Sequence, residues 1–146
     1  MWDFYSLENL LNVRKHSQVL ILSSGIRSAE NYENMETYEA EKAIALVIVE
    51  IIEYVPNAVV FKTIIKKSTG SISAVSCDTG EVLTEKTSPF DAFVQIIDGK
   101  AEIVIDGIST VLCTGQSIII PAHAANSVKA NERFKMISTI IKSGYE

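Results

Sequence analysis

Residues 92–113 read AFVQIIDGKAEIVIDGISTVLC and carry the pattern that decides the fold. Three runs rich in β-branched residues are separated by Asp98-Gly99 and Asp106-Gly107. Asp-Gly is a pair that tolerates the positive φ of tight hairpin turns. The stretch therefore predicts successive antiparallel strands joined by two hairpins.

The same pattern extends on both sides of this stretch. Closely spaced glycines leave no room for a crossover helix between the strands; they are Gly70, Gly80, Gly99, Gly107 and Gly115. Ten β-rich runs are predicted as strands: 47–55, 58–67, 71–77, 81–86, 90–97, 101–106, 108–113, 117–120, 126–130 and 134–142. This number and spacing predict an all-β antiparallel sandwich or barrel of jelly-roll size.

The N-terminal third has a different composition. Residues 1–56 hold nine acidic and four basic side chains, whereas 57–146 hold nine of each, so the net charge of −5 belongs to the first part. Leucine spacing predicts a short helix over about 6–15, and residues 28–42 favour a solvated acidic helix. Residues 19–22 fit a strand or a buried helical turn equally well. We predict a mainly helical extension at 1–45 and a β-barrel domain at 46–146.

Composition excludes several classes of protein. A chain of 146 residues with 47% hydrophobic residues fits one domain with a real core. A pI near 5.1 argues against a nucleic-acid partner. Glu50, Glu53 and Pro56 interrupt the most apolar window, which argues against a membrane span. The opening residues lack a signal-peptide pattern, and we expect a cytoplasmic protein with two reduced cysteines.

Two stretches carry glycine-framed motifs that resemble those of the cupin superfamily. The first motif, Gly-x5-His-x-His-x3,4-Glu-x6-Gly, is matched in frame by residues 80–99. The second, Gly-x5-Pro-x-Gly-x2-His-x3-Asn, is matched from Gly115 through Pro121 and His123 to Asn126. The resemblance covers about residues 47–146 and implies a double-stranded β-helix, the jelly-roll barrel of cupins.

The chain departs from the family at its metal ligands. In cupins two histidines, a glutamate and a third histidine hold one divalent metal, and here those positions are Lys86, Ser88, Ala92 and Asn126. An ammonium offers no lone pair and a methyl group offers no ligand atom. We therefore expect neither a metal nor another cofactor, and no catalytic residues can be assigned.

The same frame nevertheless predicts a ligand site. It assigns the Ala92 face of 92–97 to an apolar interior, with Lys86, Ser88 and Asn126 as its polar groups and His123 at its rim. Such a pocket would hold a small anionic molecule, with Lys86 paired to its carboxylate. Alternatively, the Lys86 ammonium lies in solvent at a strand end. A Cys113–His123 dyad also remains open.

Three hypotheses about function follow. The first is a metal-free binding or sensing module that forms a homodimer. The second is a small cupin enzyme, an isomerase, lyase or dioxygenase, that uses a displaced metal or takes Lys86 as base or Schiff-base former. The third, compatible with the first, is that residues 44–52 form an edge strand that pairs with a second copy.

Overall fold

The computed structural model describes residues 19–23, 39–85 and 87–144, and this part of the chain is all-β. Its strands are β1 Val19–Ser23, β2 Ala58–Lys67, β3 Gly70–Cys77, β4 Val82–Glu85, β5 Ala92–Ile105, β6 Ile108–Cys113, β7 Ser117–Ile120, β8 Asn126–Lys129 and β9 Phe134–Ile141. The described part contains no helix that is long and apolar enough to cross a membrane.

The strands form two antiparallel sheets that share β5. The first sheet has the order β1, β2, β3, β9, the first half of β5, and β7. The second sheet has the order β4, β8, the second half of β5, and β6. This arrangement is the jelly roll that the strand count and spacing predict.

The point at which β5 passes between the sheets is Asp98-Gly99. Here the prediction of a hairpin is wrong, because β5 continues from Ala92 to Ile105 and the pair lies at a register shift against β9. Gly99 has φ +78, and a Cβ on it would collide with the backbone carbonyl of Arg133. The glycine therefore permits a close approach of two strands rather than a reversal of the chain.

The second Asp-Gly pair behaves as predicted. Ile105 pairs with Ile108, so Asp106-Gly107 is the two-residue turn between β5 and β6. Both turn residues have positive φ, 47° at Asp106 and 82° at Gly107. This is the conformation that a right-twisted two-residue hairpin requires.

The space between the sheets is filled by one apolar cluster. Its side chains come from both sheets and include Phe61, Leu83, Ile103, Val128 and Phe134. A smaller cluster lies on the outer face of the first sheet, where Ile52 packs with Val60, Ala74 and Ile137. The larger cluster is the interior that the family frame predicts.

The predicted strand at 47–55 is absent, and so is the predicted edge strand at 44–52. Residues 44–55 instead form turns and irregular structure. In the first sheet β2 already pairs with β1 on one side and with β3 on the other. The β-branched residues of 44–55, which precede β2 in the chain, therefore have no strand to join. Strand propensity is expressed only where a pairing partner exists.

Side-chain contacts hold this irregular segment on the first sheet. The Tyr54 hydroxyl donates to Asp98 Oδ2 at 2.6 Å, and Lys135 Nζ donates to the Val49 carbonyl at 2.6 Å. Arg133 lies over the Tyr54 ring, 4.6 Å from its centroid. Burial and the hydrogen bond to Asp98 raise the pKa of Tyr54 above its ordinary value.

The structure describes only part of the N-terminal segment that is predicted to be mainly helical. Residues 19–23 form strand β1 on β2, which settles the alternative between strand and helical turn. The predicted helix at 6–15 lies outside the described residues, as does 28–38. Residues 39–42 are not helical, and the Ala40 amide donates to the Ile64 carbonyl at 2.9 Å. The domain boundary at 45/46 remains a prediction.

Candidate functional site

Three loops meet at one end of the jelly roll, and we call this end the mouth. The loops are residues 87–91, the turn 106–107 and residues 121–125. The His123 amide donates to the Ser88 carbonyl at 2.6 Å, which joins the first loop to the third. Asp106 Oδ1 accepts from the Ala125 amide at 3.0 Å, which joins the turn to the third loop.

The interior-facing side chains are more exposed near the mouth than deeper in the jelly roll. The interior-facing residues nearest the mouth, Ala92, Ile105 and Asn126, are partly exposed. The next interior-facing residues on the same strands are at most 2% exposed: Val94 and Ile96, Ile103 and Ala101, Val128 and Ala130. A ligand would therefore reach only the outermost layer of interior side chains.

The predicted orientation of Ala92 is confirmed. Val94 and Ile96 belong to the interior cluster and Ala92 packs against it, whereas Phe93 is exposed. The family's glutamate position is thus an alanine methyl group that faces the interior. Period-two alternation grouped Ala92 with Val94 and Ile96, and the family frame assigned that face to the interior.

Asn126 is the predicted site residue with the clearest chemical signature. It begins β8 on the same face as the buried Val128, and its backbone pairs with Ile105. Its Nδ2 donates to the Ala124 carbonyl at 3.3 Å, while its Oδ1 is buried and meets no donor among the described residues. A buried acceptor without a donor costs free energy, so it calls for a functional explanation.

His123 lies in the loop of residues 121–125 at the mouth and is exposed. Its φ is +67, a left-handed conformation that non-glycine residues adopt rarely and at a cost. The second family motif has glycine at this position, and the positive φ gives the physical reason. This chain therefore carries a histidine side chain at a backbone conformation that is strained for any residue other than glycine.

Ser88 is half-buried and contributes to the shape of the first loop. Its Oγ accepts from the Phe90 amide at 3.2 Å, and its carbonyl accepts the His123 amide. Ser88 and His123 are thus brought together, through backbone atoms. Lys86, the fourth predicted ligand-binding residue, lies outside the described residues.

Two aspartates at the mouth have roles that the sequence reasoning missed. Asp91 is half-buried, and its Oδ1 accepts from the Ala122 amide at 2.7 Å. Asp106 was assigned to a turn, and its carboxylate also holds Ala125. The Asp-Gly pair predicts that Asp106 lies in a turn, but a local pattern does not show that its carboxylate accepts from the distant Ala125 amide.

The Cys113–His123 dyad does not form. Cys113 pairs with Lys100, and Ile105, at the mouth, is five residues further along β5. At about 3.3 Å per residue this separation is roughly 17 Å. The thiol therefore lies toward the opposite end of the jelly roll from His123.

The residues at the mouth do not fit a family-type metal. Ser88, Ala92 and Asn126 supply no imidazole or carboxylate at the ligand positions, and an ammonium at Lys86 has no lone pair. Across residues 19–23, 39–85 and 87–144, no three or more His, Cys, Asp or Glu side chains are grouped so that they could hold a metal ion. No metal-dependent step can be derived from this site.

Other perturbed groups lie away from the mouth. Hydrogen bonds from Ser109 and then Asn131 lower the pKa of Glu102 on β5. A hydrogen bond from Lys67 Nζ at 2.7 Å is the main cause that lowers the pKa of Glu39. Both carboxylates join one segment of the chain to another through these hydrogen bonds.

Comparison with solved structures places this geometry in a known group. The chain superposes on a conserved protein of unknown function from Streptococcus pyogenes with TM-score 0.69 and 28% identity, over 73% of this chain and 94% of that one. It superposes on a cupin 2 conserved barrel domain protein from Leptotrichia buccalis with TM-score 0.63 and 30% identity, over 64% of this chain and 46% of that one. A cupin superfamily protein from Desulfitobacterium hafniense gives TM-score 0.66 and 23% identity, over 73% and 98%.

The jelly roll, the motif frame and these neighbours define one class of protein. The chain has the cupin fold and is similar in structure to proteins of the cupin superfamily. No family profile matches the chain, and neither does any curated protein. The alignment spans less than half of the Leptotrichia buccalis protein, so that protein's activity as a whole does not transfer.

Proposed function

We propose that this cupin is a metal-free module that binds or senses a small molecule at the mouth and acts as a homodimer. The observation that carries the proposal is Asn126, whose side chain is partly exposed at the mouth and whose Oδ1 has no donor among the described residues. A carboxamide in this state lowers the stability of the fold and is explained if a ligand completes its hydrogen bonding. The partly exposed Ala92 and Ile105 supply apolar walls beside it.

The rigidity of the mouth supports a binding role. Three amides in the loop before Asn126, those of Ala122, His123 and Ala125, donate within the mouth to Asp91, Ser88 and Asp106 respectively. A site whose supporting loops are already ordered loses little conformational entropy on binding. The loop is therefore organised before any ligand arrives.

The metal-free part of the proposal is tested by elemental analysis of the purified full chain. We expect less than about one tenth of an equivalent of any first-row transition metal, because the ligand positions carry a serine, an alanine and an asparagine. Stoichiometric metal that survives dialysis would overturn this part. It would instead favour the enzymatic alternative with a displaced metal.

The anionic character of the ligand rests on Lys86. If Lys86 pairs with a ligand carboxylate, Lys86→Gln lowers the affinity for lactate and leaves the affinity for neutral propane-1,2-diol unchanged. Equal affinities of both variants for lactate would remove the anionic part of the proposal. The Asn126 part would stand unaffected.

The homodimer is supported by apolar side chains on the outer face of the first sheet. Phe93 and Ile119 are direct cross-strand partners on β5 and β7, and they are 39% and 62% exposed. Light scattering coupled to size exclusion should give twice the chain mass of 16.0 kDa. Ile119→Asp should shift the species toward the monomer, because it places a charge on an apolar contact.

A matched control is available on the second sheet. Ile108, at the turn between β5 and β6, is also highly exposed, and Ile108→Asp makes the same chemical change there. We expect Ile108→Asp to leave the mass unchanged. A monomeric wild-type chain, or equal effects of both variants, would argue against this interface.

A further inference from the structure

We infer that the outer face of the first sheet docks a second copy of this chain, with residues 44–49 of each copy lying on the uncovered half of the other copy's face. We call residues 44–49 the apolar strap. The bare half is the outer face of β7 and of residues 92–97 of β5, around Phe93 and Ile119. The inference rests on the homodimer of the proposed function and specifies which surfaces meet in it.

The apolar strap exposes more hydrophobic surface than a single surface residue does. Residues 44–49 read IALVIV and contain no polar side chain. Its five large side chains are 39% to 58% exposed: Ile44, Leu46, Val47, Ile48 and Val49. Scattered apolar residues are normal on a protein surface, whereas a contiguous apolar patch marks an interaction site. The strap is therefore a surface that calls for a partner.

Contacts on both sides of the apolar strap hold it over β2, β3 and β9. Before the strap, the Ala40 amide donates to the carbonyl of Ile64 on β2 at 2.9 Å. At its end, Nζ of Lys135 on β9 donates to the Val49 carbonyl at 2.6 Å. Three residues further on, Ile52 packs against side chains of β2, β3 and β9. The strap and the residues after it thus add a layer to this half of the outer face.

The bare half of the same face lacks such a layer among the described residues. Phe93 and Ile119 are cross-strand partners there, and both are exposed. Thr139 of β9 is the residue that pairs with Phe93 on its other side, so this row across the sheet carries no charge. The outer face is therefore stepped, with a raised half under the strap and a low apolar half beside it.

A stepped face fits a second copy of itself in one arrangement. A two-fold axis that runs along the step places each apolar strap on the bare half of the other copy, so the two straps fill the layer between the two sheets side by side. If like halves faced each other, strap would meet strap and a gap would separate the bare halves, which close packing disfavours. The raised half of one copy therefore packs on the low half of the other.

The chemistry of the two surfaces suits this contact. Neither the apolar strap nor the row of Ile119, Phe93 and Thr139 places a charge where it would be buried. A stable interface takes about 800 Å² of surface from each partner. The two-fold arrangement buries two separate apolar regions of each copy at once, whereas contact between the bare halves alone would leave both straps exposed.

The first experiment compares two valines of matched exposure. Val47 in the apolar strap is 58% exposed, and Val111 on β6 of the second sheet is 57% exposed. Val47→Lys places a charge in the apolar contact, so we expect the dissociation constant of its dimer, measured by sedimentation equilibrium, to rise at least about tenfold. Val111→Lys makes the same change away from the interface and should dimerise as wild type. Both side chains are exposed, so neither change should alter the thermal midpoint greatly.

The second experiment locates the apolar strap on the other copy. A chain without isotope label carries a nitroxide at Val47→Cys, with Cys113→Ser because the Cys113 thiol is not buried. It is mixed with an equal amount of wild-type chain labelled with nitrogen-15, so line broadening in the labelled chain arises only across the interface. We expect broadening of the amides of Phe93 and Ile119. A nitroxide at Val111→Cys is the control and should leave these amides sharp.

The outcomes distinguish this inference from the homodimer on which it rests. Equal dissociation constants for Val47→Lys and Val111→Lys, or broadening that misses Phe93 and Ile119 and falls on residues 44–49, overturn the fit of strap on bare half and leave the homodimer intact. A wild-type chain that is monomeric in light scattering overturns both, and it assigns the apolar strap to a partner other than a second copy.

Discussion

Asp106 and Ala125 bind each other through two hydrogen bonds across the mouth. Asp106 Oδ1 accepts from the Ala125 amide at 3.0 Å, and the Asp106 amide donates to the Ala125 carbonyl at 2.8 Å. Ala125 immediately precedes Asn126, so a turn on another pair of strands sets the position of the candidate site residue. The hairpin between β5 and β6 is thus part of the site's support.

Removing the Asp106 carboxylate should lower the stability of the chain. Asp106→Ala leaves the Ala125 amide without its side-chain acceptor and places alanine at φ 47°, so we expect a loss of about 2 kcal/mol in urea unfolding. Asp106→Asn keeps an acceptor and tolerates the left-handed conformation, and its loss should stay near 0.5 kcal/mol. Similar losses in both variants would contradict this role.

The strain at His123 should be measurable by comparing two replacements. Both His123→Gly and His123→Ala remove the imidazole, but only glycine adopts φ +67 without a steric cost. We expect the glycine variant to be about 1 kcal/mol more stable than the alanine variant in urea unfolding. An alanine variant as stable as the glycine variant would show that the loop relaxes and stores no strain.

The Tyr54 hydroxyl should stabilise the fold in a pH-dependent way. Tyr54→Phe keeps the ring beneath Arg133 and loses only the hydrogen bond to Asp98, so we expect a loss of about 1 kcal/mol at pH 7. The folded pKa of Tyr54 is raised above 10.0 by burial and by Asp98. The stabilisation is therefore full below pH 10 and declines as pH rises beyond it.

The measurement is the difference in free energy of unfolding between wild type and Tyr54→Phe from pH 7 to pH 11. The other tyrosines are common to both proteins and cancel in this difference. A difference that grows above pH 10 would be opposite in sign to the prediction.

Glu39 should contribute stability that is lost in acid. Its Oε1 accepts from Lys67 Nζ at 2.7 Å and from the Lys66 amide at 3.0 Å, and these contacts lower its pKa below 4.5. Because the folded pKa is depressed, the contribution is present above pH 4.5 and disappears as pH falls through the folded value.

Thermal unfolding of Glu39→Gln tests whether the Glu39 carboxylate contributes stability that is lost in acid. Its midpoint should lie below that of wild type at pH 7, and the two midpoints should converge at low pH. Glu41→Gln, at an exposed neighbouring position, serves as the control and should match wild type at neutral pH. A midpoint difference that persists unchanged into acid would mean that charge is not the cause.

The sequence predicts the fold better than it predicts the site. Alternation and Asp106-Gly107 act locally, and both predictions are confirmed. Asp98-Gly99 differs because the pairing of Gly99 with Phe134 on β9, 35 residues further along, decides whether the chain turns. The β-branched residues 47–55 likewise lack a pairing partner, which no local pattern reveals.

The motif frame predicts Asn126 and Ser88 as site residues, but it carries no information on the hydrogen bonding or burial of their side chains. Whether an amide oxygen is buried without a donor depends on Ala124 and on the opposite sheet, so it appears only in three dimensions. The left-handed backbone at His123 is the exception. The family motif has glycine at its position, and that glycine already implied a positive φ.

Strand β5 belongs to both sheets, so the unfolding of one sheet is coupled to the unfolding of the other. Neither sheet can lose β5 without disturbing the other, because residues 92–99 pair with β9 while 100–105 pair with β6 and 102–105 with β8. Amides on the two halves of β5 should therefore exchange with solvent at one common free energy, that of global unfolding. The two layers behave as a single cooperative unit through one continuous backbone.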